Sequence, residues 1–123
     1  MRCALLLEEH NAFRESLAFL LTHEPDIEIV AEASSIEEGR ATALRELDDL
    51  DVMVTELMLA DGSAAEFLRA LVEADGDVSV PVLTSLKDRH AHDLALKMGA
   101  AQVLTKDVSV EEIVASIKEL GGV

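Results

Sequence analysis

Apolar residues along this chain follow two rhythms, short unbroken runs and longer stretches spaced by three and four, and the two alternate from end to end. Residues 2–7 (RCALLL) form an unbroken run, which predicts a strand buried on both faces. Phe13, Leu17, Leu20 and Leu21 recur at i, i+4, i+7 and i+8, the stripe of a helix with one buried side. Pro25 breaks that helix, and residues 27–33 (IEIVAEA) predict a second strand. Ser35 stands three residues before Glu38, a capping-box spacing that opens a helix through about Leu47, with Ile36, Ala43, Leu44 and Leu47 facing inward. A third strand falls at 52–55, then a turn at 60–62 (ADG). Ser63 and Glu66 repeat the capping-box spacing ahead of a helix carrying Phe67, Leu68, Leu71 and Val72. Gly76 marks a turn before a fourth strand at 78–83, where Pro81 is awkward because it has no N–H for a ladder. Asp88 caps a helix with Ala91, Leu94, Ala95 and Met98 inside, ended by Gly99. A brief fifth strand at 103–105 leads to the Ser109/Glu112 box and a last helix burying Val110, Ile113, Val114 and Ile117.

Five strands alternating with five helices across short connections predict an α/β fold of flavodoxin-like (βα)5 type. The expected architecture is a doubly wound parallel five-stranded sheet with right-handed crossovers and helices on both faces. At 123 residues, without repeat, linker or low-complexity stretch, residues 1–123 read as a single domain. Half of the residues are apolar, enough for a core. Ten Lys and Arg against 25 Asp and Glu give a net charge of −15, which repels a phosphate backbone and excludes direct nucleic-acid binding. No apolar run approaches the roughly 18 residues of a membrane span. The lone Cys3 forms no internal disulfide, behaves as a small hydrophobe, and suits a reducing cytoplasm.

In open parallel sheets, ligands bind beyond the carboxyl ends of the strands. Glu8 and Glu9 follow the first strand, Glu56 ends the third, Thr84 and Ser85 end the fourth, and Lys106 follows the fifth. Three carboxylates, one or two hydroxyls and one ammonium are thus expected on one edge. Thr84 and Ser85 read equally well as hydroxyls satisfying strand-end backbone groups. Asp61 and Gly62 read as turn residues, and His90 and His92, two apart on a helix, face different ways.

The stretches LLLEEHNAFRESLAFLL (5–21), DVMVTELMLADGS (51–63), LTS (83–85) and GAAQVLTKD (99–107) are the ones that carry a family likeness. Together they resemble response-regulator receiver domains of the NarL/LuxR type, over about residues 2–120. The resemblance implies an acidic pair for magnesium at Glu8 and Glu9, a Met58 backbone carbonyl on that metal, and a phosphorylated Asp where Glu56 stands. It makes Thr84 the switch hydroxyl and Lys106 the phosphoryl-gripping lysine. It implies a loop-packing role for His10.

Three departures stand out. Glu56 is one methylene longer than Asp, which spoils the positioning that phosphoryl transfer depends on. Both members of the acidic pair are Glu, crowding a metal that demands near-ideal octahedral geometry, so magnesium is expected to be held weakly. Val103 stands where the family carries its switch aromatic. Pro81, Ala60 and Asp61 also depart from the family's loop pattern.

The implied function is an atypical receiver, or pseudo-receiver, in two-component or phosphorelay signalling. It would not be phosphorylated in the usual way and would act through protein contacts, either a homodimer or docking on an output domain or partner that regulates transcription. Glu56 is expected to pair with Lys106 and imitate a phosphorylated Asp. No output domain lies within the chain, and Gly121 and Gly122 would suit a linker. The alternatives are a working receiver that uses Asp61 as acceptor, and a flavodoxin-like module for a small ligand. An acidic EEHNAF loop would repel a flavin phosphate. No nucleophile–base–orienter set is present, so an enzyme is not expected.

Overall fold

The computed structural model describes residues 1–5, 7–74 and 77–123, with only the backbone of Leu5 and Leu47. The Leu6 part of the first predicted strand and the turn predicted at Gly76 lie outside the described residues. In chain order the first half holds β1 (Arg2–Leu5), α1 (Asn11–Thr22), β2 (Glu28–Glu32), α2 (Ile36–Glu46) and β3 (Val52–Val54). A two-stranded antiparallel hairpin, β4 (Met58–Leu59) and β5 (Gly62–Ser63), comes next. Then follow α3 (Ala65–Ala74), β6 (Pro81–Thr84), α4 (Arg89–Lys97), β7 (Gln102–Thr105) and α5 (Val110–Leu120).

β1 pairs in parallel with β2 and β3, and β6 with β7. The two halves are joined by Ser79 N–H to Asp51 O (3.0 Å), Met53 N–H to Ser79 O (3.0 Å), Thr55 N–H to Pro81 O (3.2 Å) and Leu83 N–H to Thr55 O (2.8 Å). The strand order is therefore β2-β1-β3-β6-β7, the doubly wound parallel sheet that the alternation predicts. Pro81 sits in that seam facing β3. Its carbonyl still accepts from Thr55, but it has no N–H to return, so this central seam carries one bond fewer than a full ladder.

Alternate residues of the strands feed two cores. Cys3, Val52, Val54 and Leu83 pack with Leu17 and Leu21 of α1 and Ile113, Val114 and Ile117 of α5. Ala4, Met53, Val80 and Val82 pack with Ala43 of α2, Leu68 and Leu71 of α3, and Ala95 of α4. No helix among the described residues is long and apolar enough to cross a membrane.

The inward stripe of α2 differs from the hydrophobic pattern. Leu44 is 74% exposed, and the buried residues are Gly39, Thr42 and Ala43, so α2 approaches the sheet through small side chains. Leu94 of α4 likewise lies at the rim, whereas Ala95 of the same predicted stripe is buried. Gly99, at φ +115°, follows the last turn of α4 and packs against Val72.

The predicted caps are resolved individually. Ser109 Oγ accepts from Glu112 N, Asp88 from His90 N, and Ser35 Oγ from Glu38 N. The reciprocal arm of the Ser35 box lands one residue early, on Ser34 N. Ser63 is no capping-box residue: α3 starts at Ala65, and Ser63 Oγ accepts from Ala65 N. Asp61 does more than shape its turn, since its carboxylate accepts from Ile36 N and Glu37 N and caps α2 from the hairpin. Asp61→Ala should cost about 1 kcal/mol, measured by urea unfolding, with faster hydrogen exchange at Ile36 and Glu37. Unchanged exchange there would refute the cap.

Candidate functional site

β1, β3 and β7 each hand the chain to the site one to three residues past the strand. Glu56 N donates to Leu7 O (3.2 Å), Glu8 N to Ala33 O (3.2 Å), and Lys106 N to Thr84 O (3.0 Å). These ladder-like bonds fix the three backbones, and the side chains then meet. Lys106 Nζ lies 2.6 Å from Glu8 Oε1 and 3.0 Å from Glu56 Oε1. The second oxygen of each carboxylate takes a backbone N–H: Glu8 Oε2 that of His10 (3.1 Å), Glu56 Oε2 that of Leu57 (2.6 Å). Both glutamates are buried, and so each oxygen named has a donor, as buried charge requires.

Phe13 of α1 lies under the ammonium, with Nζ 5.0 Å from its ring centroid, within cation–π range. Arg14 donates from a guanidinium nitrogen to Glu8 O at 2.6 Å and pairs with Glu32. Burial alone would lower the Lys106 pKa. The hydrogen bonds that the ammonium donates to Glu8 and then to Glu56, with their negative charges, outweigh it and hold the ammonium above its ordinary value of 10.5. Beneath the pair, Phe13, Leu17, Val54 and Leu83 help wall a cavity of about 10 Å³, room for one water.

Of the three carboxylates expected to converge, the structure brings two together. Glu9 is exposed and turned aside, its Oε2 accepting from Ala60 N (3.1 Å) and tying the hairpin to the loop after β1. The reason is the alternation of an extended chain, which sends Glu8 inward and its neighbour outward. Thr84 is fully buried, and its Oγ1 accepts from Leu86 N (3.1 Å); Ser85 is exposed. Met58 is half exposed on the hairpin, and Val103 is half buried against the α2–α4 core. His10 is the N-cap of α1, its Nδ1 accepting from Phe13 N, a firmer role than loop packing. His92 contacts Leu86 O, and His90 is exposed. Burial pushes the Cys3 thiol up to about 12.

Among the described residues, no three His, Cys, Asp or Glu side chains stand where they could share a metal ion. Glu8 and Glu56 each commit one oxygen to Lys106 and the other to a backbone N–H, while Glu9 faces away. This donor set does not fit the magnesium that the resemblance implies.

A doubly wound parallel sheet with acidic and ammonium groups gathered at its carboxyl edge places the candidate site where open α/β folds bind their ligands. Residues 4–118 match the response regulator receiver domain, and the chain belongs to that family. It is 31% identical over 118 residues to the DNA-binding transcriptional activator DevR/DosR of Mycobacterium tuberculosis, covering 94% of this chain and 52% of that protein. It is 30% identical over 117 residues to the nitrate/nitrite response regulator protein NarL of Escherichia coli, covering 94% and 52%. The chain thus spans about half the length of these relatives. A two-component response regulator of the LuxR family from Aurantimonas sp. SI85-9A1 superposes with a TM-score of 0.86 at 26% identity, over 98% of this chain and 84% of that one. A LuxR-family DNA-binding response regulator from Staphylococcus aureus also gives 0.86, at 18% identity over 98% and 99%. The chain is a receiver module of two-component-type signalling.

Phe13, Arg14 and Leu57 take part in the site, and the sequence pattern does not assign them to it. Phe13 is legible there only as core. The signal that points to it is its place one turn into the helix behind the acidic pair.

Proposed function

We propose that this receiver is a pseudo-receiver in which Glu56 holds the phosphoacceptor-equivalent position and Lys106 neutralises the pocket in place of a metal. The observation that carries this reading is the Lys106 ammonium set between Glu8 and Glu56 at 2.6 and 3.0 Å. Phosphoryl transfer depends on in-line positioning of the acceptor oxygen, and here Lys106 and the Leu57 N–H hold the longer Glu56 side chain in place by one oxygen each. The pair imitates a phosphorylated Asp only in part, since a carboxylate carries one negative charge and a phosphoryl group about two. Thr84 is the switch-equivalent hydroxyl and Val103 stands at the lost aromatic position, so the state of this domain is read through contacts other than an aromatic rotamer. Residues 1–123 act as one receiver-like domain in the cytoplasm. It works by homodimerisation or by docking on a DNA-binding output domain or partner that regulates transcription. Its own charge of −15 keeps it off nucleic acid.

The test is a titration with magnesium and then magnesium plus beryllofluoride, followed by backbone amide shifts, with Glu56→Asp alongside. Wild type should ignore both additions, and Glu56→Asp should respond around Thr84 and Lys106. A wild-type response would overturn the reading.

The Asp61 alternative is disfavoured by the same kind of argument, because that carboxylate caps α2. Treatment with acetyl phosphate and mass spectrometry should leave Asp61 unmodified. For the small-ligand alternative, the cavity that Glu8 and Glu56 line among the described residues holds about 10 Å³, room for one water.

A further inference from the structure

We infer that Leu7 and Gly39 form a latch that sets the acidic site, with Leu7 acting as a positioning residue for both Glu8 and Glu56. The inference deepens the pseudo-receiver reading and rests on it.

Among the described residues, Leu7 is the non-glycine residue with positive φ, +62°. That region crowds the Cβ of an L-residue and persists only where the surroundings enforce it. Leu7 is fully buried, and what it is buried against is specific. A Cβ added at Gly39 would come within 2.4 Å of Leu7 Cδ2 and 2.9 Å of Cγ, so the leucine side chain fills the notch that a glycine leaves in α2. A glycine inside a helix is otherwise unfavourable, and the notch accounts for it.

The Leu7–Glu8 peptide unit reaches both sides of the sheet. Its carbonyl accepts from Glu56 N and its N–H donates to Ala33 O, each at 3.2 Å. Both carboxylates on Lys106 therefore hang from one peptide whose conformation the Leu7 side chain enforces. If that side chain is forced out of the notch, the peptide turns, and Glu8 and Glu56 move off the ammonium. The placement of α2 is in this way coupled to the site.

The readout, at one fixed neutral pH, is the set of amide shifts of His10 and Leu57, whose N–H groups bond the second oxygens of Glu8 and Glu56, together with the 13Cε shift of Lys106. Gly39→Ala closes the notch and Leu7→Ala empties it, and each should shift all three signals in the direction that Glu8→Gln and Glu56→Gln shift them. The double variant should lie closer to wild type than either single one, because the methyl group introduced at position 39 enters the space the leucine vacates. Leu68→Ala, a buried substitution in α3, should lower stability without moving these signals, which separates positioning from general loosening. If Gly39→Ala does not fold, Leu7→Ala decides. Glu8→Gln and Glu56→Gln distinguish the two ways of failing. If neither moves the Lys106 signal, the reading of the site falls. If they move it and Leu7→Ala and Gly39→Ala do not, the latch alone is overturned.

Discussion

Lys106→Met should destabilise the fold by about 3–5 kcal/mol, the usual effect of removing one member of a buried ion pair. The size follows from what is left behind. Glu8 and Glu56 are nearly inaccessible and their Oε1 atoms face a common point, so without the ammonium two like charges share a buried site. The pH dependence of the wild type follows from the ammonium. Because the Lys106 pKa is raised on folding, its contribution is fully present below 10.5 and is lost only as pH rises through the higher folded value. Urea unfolding at stepped pH reads that loss. Replacing Glu8, Glu56 and Lys106 together by apolar residues of similar size should come out near neutral. A loss under about 1 kcal/mol in Lys106→Met would mean that the ammonium is not what holds the carboxylates in place.

That prediction draws on residues whose types and strand-end positions were legible in the sequence. Glu8, Glu56 and Lys106 each follow an apolar run, and parallel-sheet topology brings such positions to one edge. What a single sequence does not carry is which way each side chain turns once there. Glu9 sits next to Glu8 and bonds Ala60 instead, because successive residues of extended chain face opposite ways and one-residue phase is lost across a loop. Asp61 reads as a turn residue because its capping partners, Ile36 and Glu37, are 25 and 24 residues away. The β4–β5 hairpin escapes notice for a different reason. Two-residue strands leave no periodicity to detect. Gly39 and Leu7 were invisible as a pair, since a notch and its filler are defined by the approach of two elements and not by either residue.

Ile113→Ala should cost about 2–5 kcal/mol, whereas Leu44→Ala should change stability by no more than about 0.5 kcal/mol. Both residues occupy hydrophobic positions of amphipathic helices, and the sequence places both inside. In the fold, Ile113 has no exposed surface and packs with Leu17, Leu21, Cys3 and Val52 between α5, α1 and the sheet. Its truncation removes buried methyl groups and leaves a cavity that neighbours anchored on strands and helices fill only partly. Leu44 is 74% exposed, so truncation there removes little buried area and gains slightly in helix propensity. The contrast tests the seating of α2 directly. If Leu44→Ala proved as costly as Ile113→Ala, α2 would have to be turned with Leu44 toward the sheet. Gly39 would then no longer face Leu7, and the latch on the acidic site would go with it. Thermal and urea unfolding of the two variants therefore bear on the site as much as on the core.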